Sequence, residues 1–458
     1  MEEKTIIALE IGSSKIKGAA GIIDTSGSLS VKAVEEEFTG DIVRYGCIRN
    51  VVETTNAVRN VISRLEQRLS PRRIEGVYLS VGGRSLTSET INMERRMPRE
   101  TEVTPDLIES ITNEVTSTSV PDRSVVGITL REILVDGTHA PKPIGMMGSH
   151  IEARLNLISC RTQLMRNLAM VIEERLGLKI HYTFVRPLAE AELVLFPEEK
   201  KLGCMFVDFG AETTTVAIYK NGVLVHLVTL PLGSRNITRD ITTLNHLEER
   251  AEQLKIQVGS AIPGTTEVPL AGIGQADVTA INNLVAARAA EIILNICEQL
   301  KYAGLTPDKL AGGIVTVGRG ARLNGFNQRL EQLSGMKVRL GTPGNRIRIL
   351  DPRMESSDAV DVISILAQAA SANDPAECLS KPEPVVTVNV TPPVPEVKPE
   401  VKAAPVTEQA AATANPPRPV ATQPQPEKPH RREKSAWSKM MDSFRSNVEK
   451  IFNEDEDD

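Results

Sequence analysis

Short apolar runs alternate with longer stretches of helical period over the first 370 or so residues. Ile6, Ile7, Ala8 and Leu9 form one apolar run; Cys204, Met205, Phe206 and Val207 form another. Each reads as a buried strand. After each comes an acid, one spacer and a glycine (Glu10 and Gly12; Asp208 and Gly210), then hydroxyls and a second apolar run (Ala19 to Ile23; Val216 to Tyr219). Strand, tight turn, strand is the predicted form of both. Further strands are expected at 77–81, 125–135, 151–159, 223–232 and 337–340. Apolar residues at steps of three and four predict helices at 51–69, from Asp106, and at 162–176, 188–196, 248–256, 281–302, 325–333 and 358–370. Pro71 and Gly177 stop two of them. Strands alternating with helices predict layered α/β domains.

From about 381 to 434 this texture is lost to Pro, Glu, Val, Ala, Thr, Gln and Lys. Such a stretch buries too little surface to offset ordering entropy and is expected to be disordered. As a coil of ~54 residues it would span roughly 40 Å. Order is expected again in SAWSKMMDSFRSNVEKIF, where Trp437, Met440, Met441, Phe444, Val448, Ile451 and Phe452 form one apolar stripe. With no core to join at the end of a tether, the stripe needs a partner. A membrane interface suits it, with cations Lys434, Lys439, Arg445 and Lys450 nearby. Folding back onto the body, or pairing with itself, is the alternative. The terminal Glu454-Asp455-Glu456-Asp457-Asp458 cluster opposes anionic lipid, so binding would rely on many copies together.

Composition adds bounds. The 458 residues suffice for two or more cores. A net charge of -6 argues against a dominant nucleic-acid surface. Five scattered cysteines without a C-x-x-C pair read as reduced thiols of a cytosolic protein. The start runs directly into a strand, so no signal peptide is expected. No run of 18 apolar residues is present to span a membrane.

An acid at a strand end, a glycine turn and a hydroxyl-rich return make a phosphate-and-metal cradle. Turn N–H groups can face phosphate oxygens while the carboxylate holds a hydrated cation. One copy alone is an ordinary hairpin; two, about 200 residues apart, point to two half-domains closing on one polyphosphate. Gly12, Ser13, Ser14 and Lys15 would line one side, and Gly210, Thr213 and Thr214 the other. Gly318, Arg319 and Gly320, in GGIVTVGRGARLNGF, would give a third turn lying flat against a nucleoside.

These three turns resemble those of the actin-like ATPase superfamily. Val135-Asp136-Gly137, Pro143-Ile144-Gly145-Met146, Gly148 and Glu152 are similar to the pattern of its FtsA cell-division family. The resemblance implies an actin-like α/β fold of two duplicated half-domains around a nucleotide cleft. Subdomain 1A would take 1–84 and 162–200, an inserted subdomain 1C 85–161, 2A 201–232 and 306–372, and 2B 233–305. A disordered linker (373–434), an amphipathic membrane-targeting helix (435–453) and an acidic tail (454–458) would follow. It further implies ATP and Mg²⁺ as cofactors, with Glu10 and Asp208 holding the ion largely through water, and Glu252 and Lys255 contacting the nucleoside. Implied partners are the C-terminal peptide of FtsZ through 2B, other copies of the chain in filaments, other division proteins and membrane lipid, at the inner face of the cytoplasmic membrane at the division site. Several residues depart from the pattern: Glu10 stands where most of the superfamily has Asp, and Ala211-Glu212 replaces a usual Gly-Gly. Glu212 brings a charge to the phosphate turn, Arg319 interrupts a glycine triplet, and Arg186 stands where hydrolytic relatives such as MreB carry a Glu. ATP binding with slow or absent hydrolysis is therefore expected. A metabolic kinase of the superfamily and a scaffold that has lost nucleotide remain as alternatives.

Overall fold

The computed structural model describes residues 3–116, 120–265, 276–344 and 347–381. The linker beyond Lys381, the amphipathic helix at 435–453 and the acidic tail lie outside the described residues.

Two sheets carry one topology twice. The first has six strands in the order Lys179–Val185, Gly76–Val81, Lys4–Ile11, Lys15–Ile23, Leu29–Phe38 and Arg348–Ile349. In the second, Val338–Leu340, Ile314–Val317, Cys204–Phe209, Thr214–Lys220 and Val223–Leu230 follow each other in the same way. In both, two parallel strands precede an antiparallel three-strand meander. Glu10 and Asp208 each sit next to last in the meander's first strand. That duplication places the two acid-x-glycine turns in equivalent positions.

Two main cores form; the first also takes one face of the second sheet, through Cys204, Phe206, Ala217 and Val315, and the second takes its other face. Val51–Leu69 begins at Asn50, whose side chain caps Glu53 N at 3.2 Å. Its face of Val58, Val61, Ile62, Leu65 and Leu69 is buried in the first core. Gly18 makes room for it: a Cβ there would lie 2.7 Å from Val61 and 2.8 Å from Leu65. The second core is built around Val278–Tyr302, capped by Asp277. This helix is long and apolar enough to cross a membrane, but Ile281, Val285, Ile292, Ile293 and Ile296 are fully buried in the protein.

The insert forms a third core around Ile108, Ile111, Ile133, Ile151 and Leu155. Its strands Thr87–Glu102, Met147–Arg161, Arg123–Val135 and Thr138–His139 extend the second sheet rather than the first. Thr87 pairs with Val228, Ser88 Oγ donates to Leu227 O at 3.1 Å, and Asn156 Nδ2 donates to Leu224 O at 2.6 Å. Asp136 and Gly137 turn with φ of 48° and 78°, a pair of left-handed residues suited to a tight hairpin. The Asp136 carboxylate accepts from Ser149 N and His150 N, and these bonds pull its pKa below the usual range.

Most predicted helices agree with the structure to within two or three residues. Several strands escaped the sequence reading, among them Leu29–Phe38 and two more. Thr87–Glu102 alternates half-buried with exposed side chains, many of them charged, because one face of the insert's sheet meets solvent. Lys179–Val185 is an edge strand without a continuous apolar run. The body also runs past 372, where the linker was expected to begin. Cys378 and Leu379 are buried, Cys378 N bonds Thr5 O, and Glu377 pairs with Arg72 at 3.0 Å.

Candidate functional site

Both turns form as their residues dictate. Gly12 N donates to Lys15 O at 3.0 Å, and Gly210 N to Thr213 O at 2.9 Å. A Cβ at Gly12 would meet the Glu10 carboxylate at 2.8 Å and Lys15 O at 2.9 Å, so only glycine closes this turn unstrained. The third turn lies against the second. Gly318 has φ of 86°, and a Cβ there would stand 2.5 Å from Phe209 O and 2.8 Å from Asp208 Oδ1. Gly320 lies as closely on the Phe209 ring. The main-chain N–H groups of Ser13, Ser14, Ala211 and Glu212 donate to no main-chain acceptor among the described residues. A glycine-walled cradle with such donors fits a polyphosphate.

The charged side chains have found partners within the protein. Arg186, at the start of Arg186–Val194, donates from Nη1 to Glu10 Oε1 at 2.9 Å and from Nη2 to Asp208 Oδ2 at 2.6 Å. Its guanidinium thus joins the equivalent acids of the two half-domains. Glu190, one turn on, lies 3.7 Å from Arg186 Nε; its Oε2 has no hydrogen-bond partner. Burial pushes Glu10 up to about 7 despite the opposing pull of Arg186. Burial also raises Asp208, and lifts Glu190 well above the carboxylate range. Arg186 pays for desolvation, but Asp208, Glu190 and Glu10 hold it protonated. Next to it, Lys17 pairs with Asp361 at 2.5 Å.

These contacts bear on the metal expected at Glu10 and Asp208. The two carboxylates expected to hold Mg²⁺ already hold a guanidinium. No group of three or more acids, histidines or cysteines among the described residues is placed for a metal. The residues fit a nucleotide's phosphates, and they do not fit a divalent ion bound at Glu10 and Asp208.

Glu212 is almost wholly buried and forms a second link across the halves. It accepts from Arg44 Nε at 2.7 Å and Tyr45 N at 2.6 Å, from the first half. From the second half it accepts from Arg239 at 3.0 Å and Arg235 at 3.5 Å. A third link uses Glu36, which takes Lys15 on one side and Arg319 at 3.1 Å on the other. Arg319 and Lys15 are therefore brought together on Glu36. Lys15 also lies 4.5 Å above the Phe38 ring.

Of the remaining expected ligands, Ser13 accepts from Gly46 N at 2.8 Å and borders the turn. Ser14 is half-buried, and its carbonyl accepts from Thr39 N. Thr213 is buried in its turn, whereas the Thr214 hydroxyl is spent on Leu232 O at 2.6 Å. Glu252 and Lys255 pair at 2.7 Å and share Thr238 Oγ1; burial lowers Lys255 below its usual pKa although Glu252 opposes this. They lie on Glu248–Val258, beside the Ser234–Thr242 helix whose first turn bonds back to Gly210 O and Ala211 O. Arg44, Glu36, Glu190, Arg235 and Arg239 were not anticipated. The only signal for them was the odd placement of Glu212 and Arg186, charges that buried positions oblige to be paired.

Residues 205–360 match the family described as cell division protein FtsA, and residues 83–159 match the SHS2 domain inserted in FtsA. The chain is 32% identical over 337 residues to the cell division protein FtsA of Porphyromonas gingivalis, covering 71% of this chain and 70% of that one. This chain belongs to the FtsA family. FtsA of Escherichia coli K12 is 26% identical, with 77% of this chain and 88% of that one covered; FtsA of Bacillus subtilis is 28% identical, with 76% and 80% covered. The fold is actin-like. A PilM–PilN type IV pilus biogenesis complex superposes with a TM-score of 0.56 at 14% identity, covering 79% of this chain and 98% of that one. As an FtsA-family protein, the chain is an actin-like cell-division protein.

Proposed function

We propose that this FtsA-family chain binds ATP between its half-domains, assembles with copies of itself, and tethers the FtsZ ring to the inner face of the cytoplasmic membrane. The observation that carries the nucleotide part is the duplicated acid-x-glycine turn, brought face to face with the Gly318 turn beside Asp208. Main-chain N–H groups of the two turns would take the phosphates, and the Gly318–Gly320 turn the nucleoside. Arg186 stands where hydrolytic relatives carry a Glu and ties up Glu10 and Asp208, which supports a site that holds ATP and hydrolyses it slowly or not at all. The docking surface for FtsZ is assigned to the 233–305 segment, where Leu247, Ile256 and Leu294 are exposed. The Trp437 to Phe452 stripe supplies the lipid anchor, strengthened by assembly into many copies.

A second reading is favoured by the same charges. Arg186, Glu212 and Glu36 join the halves through the protein's own ions, which a nucleotide-independent scaffold would need. Titration of the full chain with a fluorescent ATP analogue, together with co-sedimentation on anionic vesicles with and without ATP, separates the two. Saturable binding and ATP-promoted pelleting support the first. Pelleting indifferent to ATP, with no analogue bound, replaces it by the second.

A further inference from the structure

We propose that Arg186 is the resident cation of the cleft and that this chain takes its nucleotide without a divalent ion. The inference rests on the nucleotide reading above and concerns the form of the ligand. Glu10 and Asp208 are the only acids at the ends of the two equivalent strands, and the Arg186 guanidinium bonds both, at 2.9 and 2.6 Å.

Three observations show that this arginine is built in. Its stem starts at a fixed point, since Pro187 restricts the backbone at the first turn of Arg186–Val194. The side chain is only 15% exposed and faces acids 6% and 5% exposed, so the charges are held out of water together. Glu190, buried behind it with Oε2 lacking a hydrogen-bond partner, adds a further acid near Nε, at 3.7 Å. A guanidinium keeps its proton at any working pH. A divalent ion at the same two carboxylates would have to evict it toward Glu190 alone, or sit beside it against like-charge repulsion.

The chemistry left to Arg186 suits the role. Five N–H donors are present, and the bonds to Glu10 and Asp208 leave others free to face a phosphate oxygen. Guanidinium binds phosphate in a planar fork and brings positive charge to the point where Mg²⁺ would otherwise neutralise the polyphosphate. Lys15, at the first turn, and Arg44, Arg235 and Arg239, gathered on Glu212 beside the second, add positive charge around the cradle. The ligand class is therefore a nucleoside polyphosphate in its metal-free form.

The test is a titration of the full-length chain with a fluorescent ATP analogue, once in Mg²⁺ and once in EDTA. It is repeated with Arg186→Gln and with Arg186→Lys, after circular dichroism has checked their folding. The wild-type dissociation constant is expected to agree within about threefold between the two buffers. Arg186→Gln should bind at least tenfold more weakly in EDTA than in Mg²⁺, and Arg186→Lys, which keeps the charge but loses the fork, should fall between Arg186→Gln and the wild type. Wild-type affinity that falls tenfold or more in EDTA would overturn this inference and leave the nucleotide reading standing, whether or not the variants fold. Metal indifference in Arg186→Gln would overturn the role of Arg186. No binding in either buffer would overturn the nucleotide reading and this inference with it.

Discussion

Replacing Glu212 by alanine should loosen the two half-domains from each other. The carboxylate is 1% exposed and accepts four hydrogen bonds, two from each half. Removing one member of a buried charge cluster costs about 3–5 kcal/mol, because the partners stay behind unpaired. Here the arginine side chains are 27%, 16% and 35% exposed, so water can reach them in part and the lower end, about 3 kcal/mol, is the expected loss. The assay is urea unfolding of the full chain followed by far-ultraviolet circular dichroism. Arg44→Met and the double variant complete a thermodynamic cycle. Coupling of about 1.5–3 kcal/mol between Glu212 and Arg44 is the value for a charge-assisted bond. A loss below about 1 kcal/mol in Glu212→Ala, or coupling within error of zero, would refute the idea that this residue braces the cleft.

Gly318→Ala should cost about 1–3 kcal/mol from its φ of 86° alone, and more from the Cβ placed 2.5 Å from Phe209 O. It should also weaken the ATP analogue, which a melting curve and a titration would report. Asp351 accepts from Arg353 and Arg68, and the Arg353 bonds hold its carboxyl well below the usual range. A depressed folded pKa contributes stability that is fully present above the unfolded value of about 3.9 and is lost as pH falls from there through the lower folded pKa. The stability gap between wild type and Asp351→Asn should therefore hold above about pH 5 and shrink as pH falls below about 4 in urea titrations, and an unchanged gap would dismiss the pairing. Trp437 is the chain's one tryptophan, so its emission reports the tail alone. It should shift to the blue when anionic vesicles are added, and less so as salt is raised; no shift would place the stripe elsewhere than in lipid.

Legibility in the sequence followed burial. The helix Val51–Leu69 and the strand Cys204–Phe209 were readable because their periodicity records a core they must reach. The duplication was visible in two short motifs, since the turn chemistry repeats wherever the backbone must fold back beside a strand end. Thr87–Glu102 was not, because a half-solvated strand leaves only a faint alternation among charges. Candidate site residues could be named from the sequence, but their partners could not. Glu212 looked like an obstacle beside a phosphate, and Arg186 like a missing acid. Pairings such as Arg44 with Glu212 span 168 residues, and nothing in local sequence joins them. Tertiary packing alone reveals that each charge is answered by another across the cleft.

The most direct measurement is recruitment of FtsZ to anionic vesicles by the full-length chain. FtsZ should pellet with the vesicles when the chain is present with ATP. It should remain in the supernatant when the C-terminal peptide of FtsZ is deleted, or when Trp437→Glu and Phe444→Glu break the apolar stripe. FtsZ that stays soluble with the wild-type chain bound to lipid, or that pellets equally well with the stripe broken, would contradict a membrane tether of the division ring.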